Sequence, residues 1–79
     1  MSNKPITDQN LKRLENLSIF LRELRLNEGL TQRELSQNLN LHRNTIHRAE
    51  NARNITLLSL FELADALEIS PTDLFLDIA

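Results

Sequence analysis

Leu11, Leu14, Leu17, Leu21 and Leu24 recur every three or four residues, the spacing that aligns side chains along one face of an α-helix. Thr7 precedes the run and offers a hydroxyl to an unpaired amide of the first turn, while Gly29 follows it and tolerates left-handed backbone. A long helix over 8–28 with one buried leucine stripe is therefore expected. Thr31-Gln32-Arg33-Glu34 has the form of a capping box, with Leu30 and Leu35 placed as its hydrophobic staple. A short second helix begins there, turns Leu35 and Leu39 inward and ends at Asn40. A third is expected from His42 or Arg43 through Asn51, with Ile46, Ala49 and Glu50 on one face and Arg43, Asn44, His47 and Arg48 on the other. Thr56 caps a fourth helix, whose Leu57, Leu60, Phe61, Ala64 and Leu67 share one side. Ser70-Pro71-Thr72-Asp73 opens a fifth, with serine as cap, proline at the first helical position and aspartate in the positive first turn.

This pattern predicts an all-α fold, a compact five-helix bundle containing a helix-turn-helix. With 79 residues the chain fills one small domain, assigned to 8–79 and preceded by a flexible tail over 1–7 from which Lys4 could reach a minor groove. A single glycine and the absence of cysteine exclude a disulfide scaffold and a turn-rich sheet protein. No apolar run approaches the roughly 20 residues of a membrane span, and the first ten residues lack the apolar stretch of a signal peptide. A cytoplasmic protein without membrane contact is expected, nucleoid-associated when bound to DNA. Leu74, Phe75, Leu76 and Ile78 put more apolar surface into the last helix than one short face can bury. Some of them close the core, and Leu74, Leu76 and Ile78 are the candidates for a homodimer interface.

Charge sharpens the reading. Although the net charge is −2, residues 31–54 hold four Lys or Arg against two acids, and residues 55–79 hold five acids and no base. A basic middle facing phosphates with an acidic part turned away suits a nucleic-acid binder. Positions 43, 44, 47 and 48 project together from a helix. Arginine bonds bidentately to guanine O6 and N7, and asparagine to adenine N6 and N7, in a groove that admits a helix. Solvated helix faces also carry arginines, so this face alone leaves two readings open.

The order of these signals resembles the phage-repressor and Cro family of helix-turn-helix regulators, the XRE family, over about Leu17 to Phe75. The residues that carry the likeness are Gly29 through Leu35, Asn40-Leu41, Arg43-Asn44-Thr45-Ile46 with Glu50, Leu63 through Leu67, and Ser70 through Phe75. The resemblance implies a DNA-reading unit made of helices 2 and 3, and transcriptional regulation, expected to be repression, by a dimer on a pseudo-palindromic double-stranded operator. It implies base-reading roles for Arg43, Asn44, His47 and Arg48, and phosphate contacts for Gln32, Thr45, Asn51, Arg53 and Asn54. It further implies a buried structural ion pair between Arg25 and Glu50. The chain departs from the family pattern at His42, which replaces a small hydroxyl cap, and at Ala49, which replaces a larger apolar residue. Ala52 and Ile55 stand where glycine and proline are usual, in a loop one residue shorter than the commonest form. Leu11 and Leu14 lengthen helix 1, to pack on its own domain or on a second subunit.

Other chemistries fare worse. His42 and His47 are five apart, not the i, i+4 spacing of two metal ligands on a helix, and no cysteine completes a site. No strained nucleophile turn or Gly-rich phosphate loop is present. Neither metal, cofactor nor enzymatic activity is expected. The competing function is a protein-binding module, an antitoxin or adaptor, that meets its protein partner through the apolar fifth helix.

Overall fold

In the computed structural model, each helix starts at the polar residue that its sequence offers as a cap. The structure describes residues 5–37, 42–76 and 78. Thr7 accepts from the Asn10 amide at 3.2 Å and opens α1, Asp8–Asn27. At α2, Gln32–Gln37, the box is reciprocal: the Thr31 hydroxyl accepts from the Glu34 amide and the Glu34 carboxylate from the Thr31 amide, both at 3.0 Å. His42 caps α3, Arg43–Ala49, by accepting the Asn44 amide on its Nδ1 at 3.1 Å. An unprotonated imidazole nitrogen thus does the work of the missing hydroxyl. Thr56 caps α4, Leu57–Ala66, and Ser70 caps α5, Pro71–Leu76, accepting the Ser59 and Thr72 amides at 3.1 and 3.3 Å.

The ends of α1, α3 and α4 share one device. The amides of Leu30, Arg53 and Ile69 donate to the carbonyls of Arg25, Arg48 and Ala64, five residues back, at 3.2, 3.0 and 2.9 Å. Each closure passes over a left-handed residue: Gly29 at φ 70°, Ala52 at φ 57° and Glu68 at φ 57°. α3 consequently stops at Ala49, two residues short of the expected Asn51, because the chain must turn left at Ala52. The expected inward Leu39 and the stop at Asn40 lie outside the described residues, as do Lys4 and Leu41.

Leu21, Leu35, Ile46, Ala49, Leu60, Leu63, Ala64, Leu67 and Leu74 form one buried core, with Leu17, Leu24 and Leu30 packed against it. α3 packs on α1, α2 and α4, and α5 on α1 and α4. The leucine stripe of α1 enters this core only from about Leu17 onward; Leu11 is exposed and Leu14 half-buried. On α4 the inner face differs from the expected one, since Leu63 is buried while Leu57 and Phe61 are exposed. Phe61 lies about a quarter turn beyond Leu60, and Leu57 sits in the first turn, at the edge of the bundle. Leu74 also corrects an expectation: at 0% exposure it belongs to the protomer's own core and has no surface to offer a dimer interface. Leu76 is 67% exposed, and Ile78 is intermediate. No helix among the described residues is long and apolar enough to cross a membrane.

Two predictions come from the helix ends. Ala52→Gly and Glu68→Gly should each raise stability in urea by about 0.5–1 kcal/mol, because the left-handed cost of a side chain slightly exceeds the entropy that glycine loses. The Glu34 carboxyl lies below its ordinary pKa, held there first by the Thr31 amide and then by its hydroxyl. Its contribution to stability is complete above the ordinary glutamate value and disappears as pH falls through the lowered folded one. Urea titrations at stepped acid pH should therefore show a shallower loss of stability in Glu34→Gln than in the parent.

Candidate nucleic-acid interface

The side chains available to a polyanion lie on the outer face of α3. Ile46, 1% exposed, and Ala49, 6% exposed, anchor its inner side, and the remaining geometry follows from the helical period. Arg43, Asn44 and His47 are exposed together. With Gln32 and His42 they line a shallow open groove where the start of α2 meets α3. Among the described residues neither Arg43 nor Asn44 donates a side-chain hydrogen bond, and both side chains are exposed. The Asn51 amide lies 3.4 Å from His47 Nδ1.

Beneath this face lies the ion pair expected from the resemblance. Arg25 Nε and Nη2 donate to the two carboxylate oxygens of Glu50 at 2.6 and 2.9 Å, and their side chains are 9% and 4% exposed. The Arg25 pKa is raised above its ordinary value, chiefly by the hydrogen bond to Glu50 and against the opposing cost of burial. Arg25 Nη1 also donates to the Leu30 carbonyl at 2.7 Å, and the Gln32 amide donates to Glu50 at 3.2 Å. One carboxylate thereby ties α1, the start of α2 and the end of α3 together. The Leu30 and Gln32 links carry no sequence signal of their own; they arise because both residues flank the turn that the pair pulls inward.

The phosphate candidates are arranged less uniformly. Gln32 is half-buried and its amide is turned toward Glu50. Thr45 is half-buried beside Arg48, Asn54 and Ser59. The Asn51 side chain donates to the His47 carbonyl at 2.6 Å, capping the end of α3. Arg53 and Asn54 are exposed. Arg48, expected on the base-reading face, instead folds its guanidinium onto the Asn54 carbonyl, with Nε at 3.2 Å and Nη2 at 3.0 Å. Helical spacing places the Arg48 backbone beside Asn44 and His47, but a long side chain can bend toward a nearby loop carbonyl. Among the described residues no buried side-chain polar atom lacks a partner.

A helix-turn-helix family model matches residues 21–74. Among solved structures, the chain is similar to the restriction-modification controller protein C.AhdI from Aeromonas hydrophila, with 38% identity over 78% of this chain and 96% of that one and a TM-score of 0.73. It is 36% identical to the restriction-modification controller C.Esp1396I, seen as a tetramer with its natural 35 base-pair operator, over 80% of this chain and 84% of that one, TM-score 0.70. A hypothetical transcription factor from Neisseria, NHTF, is 28% identical over 98% and 88% of the two chains, TM-score 0.75. No curated protein matches.

The ion pair generates a stability prediction. Glu50→Ala should cost about 3–5 kcal/mol, because it strands the Arg25 charge in the interior, and the paired change Arg25→Met with Glu50→Leu should recover most of that loss. Urea unfolding of the three proteins measures both effects.

Proposed function

This chain belongs to the helix-turn-helix family, of the phage-repressor and Cro type, and on that premise we propose that it regulates transcription by reading duplex DNA as a dimer with α3 in the major groove. The observation that carries this is the exposed trio Arg43, Asn44 and His47, raised on a helix whose underside is fixed by Ile46 and by the Arg25–Glu50 pair. Rigid support matters because base edges discriminate only when donors arrive in register. Arg43 and Asn44 take the base-specific roles, with His47 beside them, and Arg53 and Asn54 hold the phosphate backbone in the following loop. Residues 8–79 act as one DNA-binding unit, without enzymatic chemistry, in the cytoplasm.

The dimer reading draws on apolar surface outside the core: Leu57, Leu58, Phe61, Phe75 and Leu76 are exposed on α4 and α5, and Leu76 replaces Leu74 as the leading interface candidate with Ile78 beside it in sequence. Two recognition helices on successive major grooves require half-sites about one helical turn apart, hence a pseudo-palindromic operator. The likeness to two restriction-modification controllers supports control of a restriction-modification locus as the specific role. The same apolar surface would serve an antitoxin or adaptor, and the DNA reading is preferred because the exposed polar groups of α3 have no task in that alternative.

Selection of bound duplexes from a random library, repeated with Arg43→Ala, tests the reading. The parent should enrich a two-fold motif, and Arg43→Ala should relax one symmetric base position at a cost of about 1–3 kcal/mol. Absence of enrichment by the parent at low and at moderate salt would transfer the function to the protein-binding alternative.

A further inference from the structure

We infer that Arg48 is a positioning residue for the phosphate-contacting loop rather than a reader of bases, an inference that rests on the DNA-binding function proposed above. One residue grips that loop from two sides. The Arg48 carbonyl accepts the amides of Asn51 and Arg53 at 3.1 and 3.0 Å. Its guanidinium, using Nε and Nη2, donates to the Asn54 carbonyl at 3.2 and 3.0 Å. The left-handed turn at Ala52 falls between the two amides that the carbonyl holds, and the guanidinium takes the next residue after them, so Arg48 holds the loop from Asn51 to Asn54.

Ala52 carries a side chain in a conformation that costs an L-residue on the order of 1–2 kcal/mol; Glu68 bears the same angle over the same closure, and the loop after α3 adds to that closure the guanidinium contact to Asn54. Arg53 and Asn54 stand on this loop, both exposed, so their reach to a phosphate relative to α3 is set by where the loop lies. A guanidinium committed to Asn54 is withdrawn from the groove-facing trio, and recruiting it to a base would break both bonds and release the residues that hold the backbone.

The test compares library selection and salt-dependent binding to the selected duplex for the parent, Arg48→Ala, Arg48→Lys, Arg53→Ala and the double change Arg48→Ala with Arg53→Ala. Circular dichroism confirms folding of each, and Arg48→Lys takes the place of alanine in the cycle should Arg48→Ala not fold. Arg48→Ala should bind every sequence more weakly with unchanged base preference and a salt slope lowered by about one phosphate contact. The loss should largely vanish in the Arg53→Ala background, because the brace acts through Arg53. Arg48→Lys, which keeps the charge and loses the two-pronged grip, should resemble alanine. Relaxation at one base position would make Arg48 a base reader; additive losses, or full rescue by lysine, would reduce it to a nearby charge. Any of these overturns the inference while leaving DNA reading intact, whereas a parent that enriches no duplex removes both.

Discussion

Arg25 and Glu50 meet where α1, the α1–α2 turn and the end of α3 converge, and the two-pronged contact between them ties the end of α3 to α1. Taking both charges out of water costs several kcal/mol per ion, which their attraction offsets only when the geometry is good and the remaining donors and acceptors are satisfied. Here they are satisfied: Leu30 and Gln32 complete the network. Ile46 and Leu35, each 1% exposed, supply the apolar contact that the pair orients.

A second constraint is economy of turns. Three helices close with the same six-residue bond over a left-handed position, yet the chain has a single glycine to place there. At Gly29 a Cβ would meet no other atom, so the choice of glycine answers the backbone angle and not crowding. Ala52 and Glu68 bear the conformational cost instead. For Ala52 this cost falls inside the loop that Arg48 grips, which links a strained backbone angle to the placement of the exposed Arg53 and Asn54.

Much of this architecture was legible in short-range patterns. Thr7, the Thr31–Glu34 box, Thr56 and Ser70-Pro71 each mark a helix start within a few residues, because capping is chemistry between near neighbours. The polar face of α3 was equally readable, since helical period alone brings positions 43, 44 and 47 to one side. Family resemblance, and not spacing, supplied the partnership of Arg25 with Glu50 across 25 residues. What short-range reading misjudged were questions of degree: which of several leucines lies innermost on α4, how far α3 continues, and whether Leu74 faces inward.

The sequence by itself determined five helices, their starts, and the chemistry displayed on α3, because each depends on residues within a turn or two of one another. Only the tertiary structure decided that Leu63 replaces Phe61 in the core, that Leu74 is wholly interior, and that Arg48 turns from the groove face to the Asn54 carbonyl. Those outcomes depend on where neighbouring elements leave space or an unpaired acceptor, and neither quantity exists until the helices have packed.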